Sequence, residues 1–207
     1  MIGPYAVQLN YSALVSARLH PFSCTRSMGT GRPRPIFETV RSLVQEMKAL
    51  STIYLALGTN LGDRLANLHA ALAALPPSIV LRRSSPIYET PPWGITNQPA
   101  FLNMVVRAET DLEPAALLKH LKRLETKLGR VAAVRWGPRL IDMDILFYDD
   151  LILSIPGLTL PHPRLHERSF VLVPLADLAP DLVHPVLGRT VEELLAKCDA
   201  IGIKRFE

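Results

Sequence analysis

Between Thr52 and Tyr148 the spacing of apolar residues changes twice from strand-like to helical and back, and few folds accept that order. Ile53-Tyr54-Leu55-Ala56-Leu57 reads as a short apolar strand. Gly58-Thr59-Asn60 follows as a turn with a helix cap, and Leu61 to Leu75 is an Ala/Leu-rich helix stopped by Pro76-Pro77. Ile79 to Thr90 is strand-like, a Pro/Gly loop runs from Pro91 to Pro99, and Phe101 to Ala108 alternates as a strand. Pro114 opens a second helix that runs to Gly129, and a further loop leads to a strand at Leu140 to Tyr148. The order β-α-β-β-α-β predicts an α+β fold of the ferredoxin-like plait, an antiparallel sheet with two helices packed on one face. A Pro-rich C-terminal extension with a terminal helix at Val191 to Cys198 completes the chain; its apolar run from Phe170 to Leu178 is broken by Pro174 and Asp177.

Ahead of this body lies a leader of different composition. Residues 1–35 hold Gly3-Pro4, Gly29-Thr30-Gly31 and Pro33-Arg34-Pro35 with little periodicity, and are rich in Arg and Ser with no acid. Pro35 then opens an amphipathic pattern, Ile36, Val40, Leu43, Val44 and Met47, that predicts a helix over 36–50. The expected division is an N-terminal extension over 1–50, partly disordered, and one folded domain over 51–207. A disordered tail or an early start codon is one reading of the leader; an organelle-targeting segment is the other.

Charge supports that division. The first fifty residues carry six basic side chains (Arg18, Arg26, Arg32, Arg34, Arg41, Lys48) against Glu38 and Glu46, leaving 17 basic and 17 acidic residues in the body. A neutral body carries no general footprint for nucleic acid. No stretch approaches the roughly 18–20 apolar residues of a membrane span. Cys24 and Cys198 stand far apart, in no metal-binding spacing, which fits a reducing, cytoplasmic setting.

The residues that carry chemistry fall in three places. The first is Arg135-Trp136-Gly137-Pro138-Arg139-Leu140-Ile141-Asp142-Met143-Asp144-Ile145. On a strand Asp142 and Asp144 point the same way, while Ile141, Met143 and Ile145 point into apolar surroundings. Paired carboxylates repel, so something cationic is expected to bind them, and neutralising one should relieve the repulsion. Hard oxygen ligands suit Mg²⁺, which takes a couple of carboxylates plus water and phosphate oxygens. Arg130, Arg135 and Arg139, with Arg164 and Arg168 further on, present forks that match phosphate; surface salt bridges are the plainer alternative for any one of them. The second place is Glu89-Thr90-Pro91-Pro92-Trp93-Gly94 with Phe101 and Asn103, where a stiff loop, a stacking ring and a paired donor and acceptor would suit a flat heterocycle. Taken singly, Phe101 is better explained as core and Asn103 as an inward polar residue satisfied by backbone. The third is Pro161-His162-Pro163-Arg164, a histidine held by prolines near arginines. Gly58-Thr59-Asn60-Leu61-Gly62-Asp63 lacks the GxxxxGK pattern and reads as a strand-to-helix turn rather than a phosphate cradle.

Four segments, LALGTNLGDR, ETPPWG with QPAFLN, GRVAAVRWGPRLIDMDIL and LPHPRLHERSFVLVPL, occur in this order. Together, from about Thr52 to Cys198, they resemble the 6-hydroxymethyl-7,8-dihydropterin pyrophosphokinase family. The resemblance implies transfer of diphosphate from ATP to the pterin hydroxymethyl group, with release of AMP, in folate biosynthesis. It implies two Mg²⁺ ions on Asp142 and Asp144, and catalytic roles for Arg130 and Arg139. It implies a pterin pocket of Thr90, Pro91, Trp93, Phe101 and Asn103, with Phe170 as the opposing ring and Trp136 on a closing loop. Glu125, Arg135, Ile145, Thr159, His162 and Arg168 would form the ATP site. Only small-molecule partners are expected, with a monomer and no nucleic acid or membrane. The chain departs from the family pattern in four places. Phe101 stands where Tyr is common, and Lys122 where a Gln of the nucleotide site stands. The loop from Arg130 to Arg135 is a residue shorter and holds Ala132-Ala133, and Gly157 replaces an arginine. The rival readings are an RNA-binding plait module and a metal-dependent phosphodiesterase using the same aspartates.

Overall fold

The computed structural model describes residues 50–131 and 137–206. The leader helix expected over 36–50, Cys24, Arg135 and Trp136 lie outside them, apart from Leu50.

The centre of the fold is β1 (Ser51–Thr59), paired antiparallel with β4 (Phe101–Thr110) on one side and β5 (Asp142–Tyr148) on the other. The strand read as one piece from Ile79 to Thr90 is two, β2 (Ile79–Ser84) and β3 (Tyr88–Thr90), which pair with opposite ends of β4. The break falls at Ser85-Pro86. Ser85 Oγ accepts from the Val105 amide at 3.0 Å, and Pro86 has no N–H for a ladder. A short β10 (Lys204–Arg205), not foreseen, pairs with β3, so the sheet reads β10-β3-β4-β1-β5 with β2 also on β4.

Two helices cover one face. α1 (Arg64–Ala74) starts later than the periodicity suggested, because Asp63 is its cap: its carboxylate accepts from the Ala66 amide at 3.0 Å. Asn60, expected at the cap, is tied elsewhere. α2 (Pro114–Lys127) begins on proline and places Leu117, Leu121 and Leu124 inward at helical spacing. With Ile53, Leu55 and Leu57 of β1 and Met143 and Ile145 of β5 these make the larger core.

The opposite face differs from the two-layer expectation. The apolar run around Pro174 is a helix, α3 (Ser169–Leu178), with the proline inside it. Two hairpins, β6 (Leu153–Ile155) with β7 (Leu158–Leu160) and β8 (Val183–His184) with β9 (Arg189–Thr190), flank it in sequence. α4 (Val191–Leu195), shorter than the Val191 to Cys198 expected, opens on a capping box of Thr190 and Glu193. Val171, Leu172 and Leu175 of α3 pack with Val191 and Leu194 of α4 against Tyr54, Val105 and Phe147 of the sheet. Burial of this face outweighs the one helix hydrogen bond that Pro174 forgoes. The C-terminal extension is therefore a third layer, and it leaves one end of this sheet face uncovered.

Candidate active site

That uncovered end is built by alternation. Ala56 and Gly58 of β1, Phe101 and Asn103 of β4, and Asp142 and Asp144 of β5 share the face of the sheet turned away from α1 and α2. In register, Gly58 lies between Asn103 and Asp142, and Ala56 lies beside Asp144. A methyl group on Gly58 would stand 2.7 Å from Asn103 Oδ1, so only glycine lets the amide lie across the strand. These residues floor a cavity of about 480 Å³.

One half of the cavity is flat and sparsely polar. Thr90 and Asn103 are buried, and Asn103 Nδ2 donates to Thr90 Oγ1 at 2.8 Å, leaving Oδ1 over Gly58. Phe101 and Phe170 contribute rings, and Pro91 and Trp93 close the rim. Trp93 packs under two guanidinium groups, with Arg168 5.4 Å and Arg164 5.9 Å from its ring centre.

The other half is ionic. Asp142 Oδ1 accepts from Arg130 Nη1 at 2.5 Å, and Oδ2 from Arg139 Nη1 at 2.5 Å. Burial pushes the Asp142 carboxyl up, but Arg139, Lys122 and Arg130 together outweigh it, and the group is held below the usual carboxylate range. Arg130 also donates to Glu125 Oε2. It can do so because Gly129, at φ +93°, turns the chain back at the end of α2, and the Arg130 amide closes on the Glu125 carbonyl at 3.0 Å. Asp144 is looser, 3.8 Å from Lys122 Nζ and 4.0 Å from Arg168 Nη1. The pair does not face bare repulsion: four cations lie around it, and neutralising Asp142 would cost Arg139 its carboxylate partner and Arg130 one of its two.

His162 sits opposite. Its amide donates to the Leu146 carbonyl at 2.9 Å, its Nδ1 accepts from the Arg164 amide at 3.2 Å, and its Nε2 lies 3.5 Å from Arg168 Nη1. Burial pushes the imidazole pKa down, only partly countered by Asp144, which favours the neutral ring. Arg168 Nε is buried without a hydrogen-bond partner among the described residues, as a group meant for an anionic ligand would be.

Most of the expected site residues therefore meet in one cavity, and three of the described ones do not line it; Arg135 and Trp136 lie outside the described residues. Glu125 is 2 % exposed and lies beneath, receiving Lys122 Nζ at 2.7 Å and the Met143 amide at 2.7 Å besides Arg130. Ile145 turns its side chain into the core, as alternation with Asp144 requires. Thr159 is exposed on the β6–β7 hairpin, paired with Ser154. Sequence reasoning in turn missed Gly58, although small residues at alternate positions 56 and 58 were a readable sign of close approach. It noted Lys122 only as a departure, while the fold places that side chain in the cavity wall. It also missed Asn60. That residue binds Arg139 on both sides, Oδ1 from its amide at 2.8 Å and its own amide to the Arg139 carbonyl at 3.1 Å, and donates to the Pro99 carbonyl at 3.1 Å.

A layered α+β domain with a ring-lined pocket opening onto an arginine-ringed acidic pair is the setting that a transferase bringing a flat heterocycle to a polyphosphate would need. The sequence comparisons agree. The 7,8-dihydro-6-hydroxymethylpterin-pyrophosphokinase family matches residues 54–180. A Methylorubrum extorquens protein named 2-amino-4-hydroxy-6-hydroxymethyldihydropteridine pyrophosphokinase is 50 % identical over 161 residues, 76 % of this chain and 100 % of that one. The Dictyostelium discoideum folic acid synthesis protein FOL1 is 41 % identical over 142 residues, 69 % of this chain and 22 % of its own. In fold, a Plasmodium falciparum HPPK-DHPS crystal structure with SDX-DHP superposes with a TM-score of 0.62 at 19 % identity, covering 74 % of this chain and 46 % of that one. The chain belongs to the 7,8-dihydro-6-hydroxymethylpterin-pyrophosphokinase family and is a pyrophosphokinase of folate biosynthesis.

Proposed function

We propose that the chain transfers the β,γ-diphosphate of ATP to the hydroxymethyl oxygen of 6-hydroxymethyl-7,8-dihydropterin and releases AMP. The observation that carries this reading is the single cavity that joins the Asn103–Phe101–Phe170 pocket to the Asp142–Asp144 pair across Gly58. The pterin lies between Phe101 and Phe170, its amide-like edge read by Asn103 and the backbone near Thr90, with Pro91 and Trp93 at the rim. Its hydroxymethyl group then points along the floor towards Asp142. The oxygen attacks the β-phosphorus, the bond from that phosphorus to the α,β-bridging oxygen breaks, and the hydroxyl proton leaves to solvent. Arg130 and Arg139 exchange carboxylate for phosphate partners, while His162 and Arg168 hold the transferred unit. Glu125 acts from below by placing Arg130 and Lys122. Ile145 serves the nucleotide through its backbone on edge strand β5, and Arg135, Trp136 and Thr159 are assigned by family likeness alone.

Asp142 and Asp144 fit Mg²⁺. They give two carboxylates on one face at the mouth of a cavity, the number Mg²⁺ takes when phosphate and water supply the rest, and among the described residues no larger acid or histidine cluster competes. Bound there, two such ions would supply charge neutralisation for the polyphosphate. The strand order, with two helices on one face, supports the ferredoxin-like βαββαβ plait as the core of the domain. We assign the domain to residues 51–207, acting as a monomer on small molecules in the cytoplasm; the sparse cysteines support the reducing setting. Among the described residues no helix is long and apolar enough to cross a membrane. The test is AMP formation from ATP and Mg²⁺ with and without hydroxymethyl-dihydropterin. Pterin-dependent AMP in one-to-one yield with a diphosphorylated pterin is expected, and ADP as the primary product would overturn the assignment.

A further inference from the structure

Among the described residues, Lys122 is the one cation within 4 Å of both aspartates. It projects from α2 around the edge of the sheet, and its Nζ lies 3.8 Å from Asp142 Oδ1 and 3.8 Å from Asp144 Oδ1. Two further contacts hold it there, Glu125 Oε1 at 2.7 Å and the Met143 carbonyl at 3.2 Å. Glu125 is almost wholly buried and cannot follow the lysine outward, whereas the Lys122 side chain is 42 % exposed and lines the cavity. The side chain thus has a fixed anchor on its inner side and solvent on its outer side. Four flexible methylenes let it turn from one to the other.

We propose that Lys122 sets the divalent-cation affinity of the nucleotide-free site, so that the acidic pair takes its ions together with a polyphosphate rather than before it. The proposal rests on the assignment of Asp142 and Asp144 as the cation-binding pair. An ammonium within 4 Å of both carboxylates already satisfies part of their charge, and a divalent ion arriving alone meets its repulsion. A nucleotide triphosphate changes that balance. Its phosphates give the ammonium a new partner in the cavity, and Lys122 turns to them while keeping its stem against Glu125. Arg130 and Arg139 do not play this part, because each faces Asp142 and neither contacts Asp144. The residue is a positioning and affinity-setting group; its charge decides the outcome, not its ability to donate a hydrogen bond.

The test is Mn²⁺ binding, read from the free-ion electron paramagnetic resonance signal, for the wild-type protein, Lys122→Gln, Lys122→Met and Lys122→Arg. Each is measured without nucleotide and with a non-hydrolysable ATP analogue. Without nucleotide, Lys122→Gln and Lys122→Met should bind Mn²⁺ about tenfold more tightly than wild type, while Lys122→Arg, which keeps the charge, should not. With the analogue present the advantage of Gln and Met should vanish or reverse, because the polyphosphate has lost a cationic contact. Equal Mn²⁺ affinity of all four proteins without nucleotide would overturn the proposal, as would tightening in Lys122→Arg equal to that in Lys122→Gln. Asp144→Asn separates this from the assignment on which it rests. If that variant binds Mn²⁺ as wild type does, the pair is not the cation site and both ideas fall. If it loses Mn²⁺ while the lysine variants are unchanged, only the role of Lys122 is lost.

Discussion

Gly58 and Asp142 show how a single side chain decides the site. In Gly58→Ala the new methyl would meet Asn103 Oδ1 at 2.7 Å, and Asn103 cannot retreat, because it is buried against Thr90. The expected result is a rise in pterin KM of roughly tenfold or more, at a stability cost of about 1–3 kcal/mol. ATP-analogue affinity, measured without pterin, should stay near wild type. Asp142→Asn should lower kcat by about 10²–10³. It should also cost stability, about 2 kcal/mol, because Arg130 and Arg139 lose a charged acceptor. Relief of carboxylate repulsion, the expectation from the sequence, is outweighed by those two ion pairs. Asp144→Asn, whose nearest cations lie 3.8 and 4.0 Å away, should lower turnover similarly with little change in melting temperature. Thermal melts of the two variants at neutral pH, compared side by side, check the distinction.

At the scale of elements, the C-terminal layer carries its own pH sensitivity. His184 is buried at the β8–β9 turn, where its Nδ1 accepts from the Val186 and Leu187 amides at 3.3 Å each, and its ring packs edge-on against Phe147. Burial, then the nearby His166, pushes its pKa below the usual 6.5, so the folded protein prefers the neutral ring. The unfolded chain takes up a proton first as pH falls. Stability should therefore be full above about pH 6.5 and decline below it. His184→Asn, which keeps an acceptor at that position, should flatten the fall in melting temperature between pH 7 and 5. It should not remove it, because burial shifts His120 and His162 in the same direction. The same layer marks the limit of sequence reading. Period-two and helical patterns located β1, β4, β5, α1 and α2 to within a few residues, because each buries one face in a shared core. α3 was hidden because Pro174 is a local breaker whose cost is met by burial between distant segments. β10 has only two residues, and its partner β3 lies far away in the chain. The candidate site was legible where chemistry and alternation coincide, as at Asp142 and Asp144. It was not legible at Asn60, and Glu125 was reached only through the family resemblance, because the importance of both comes from what they hold.

For the whole molecule, every described group that lines the cavity lies between Ala56 and Val171. Removing residues 1–46 should leave kcat and both KM values unchanged; a folded truncation with a large loss of activity would show that the leader belongs to the active unit. The placement of Gly58 between Asn103 and Asp142 has a broader consequence. The strands that carry the heterocycle pocket and the acidic pair are two inter-strand steps apart, about 10 Å, a spacing fixed by the backbone ladder rather than by any loop. On the proposed assignment of the site, reactant alignment is thus a property of strand pairing, as the pitch of a screw belongs to its thread. Changes in the loops can alter how fast the chamber fills or empties, but not how far apart its contents are held. A one-residue insertion within β1 would be of another kind. It would turn Ala56 and Gly58 towards the helices and bring Leu57 under the reactants, undoing both halves of the chamber in one step.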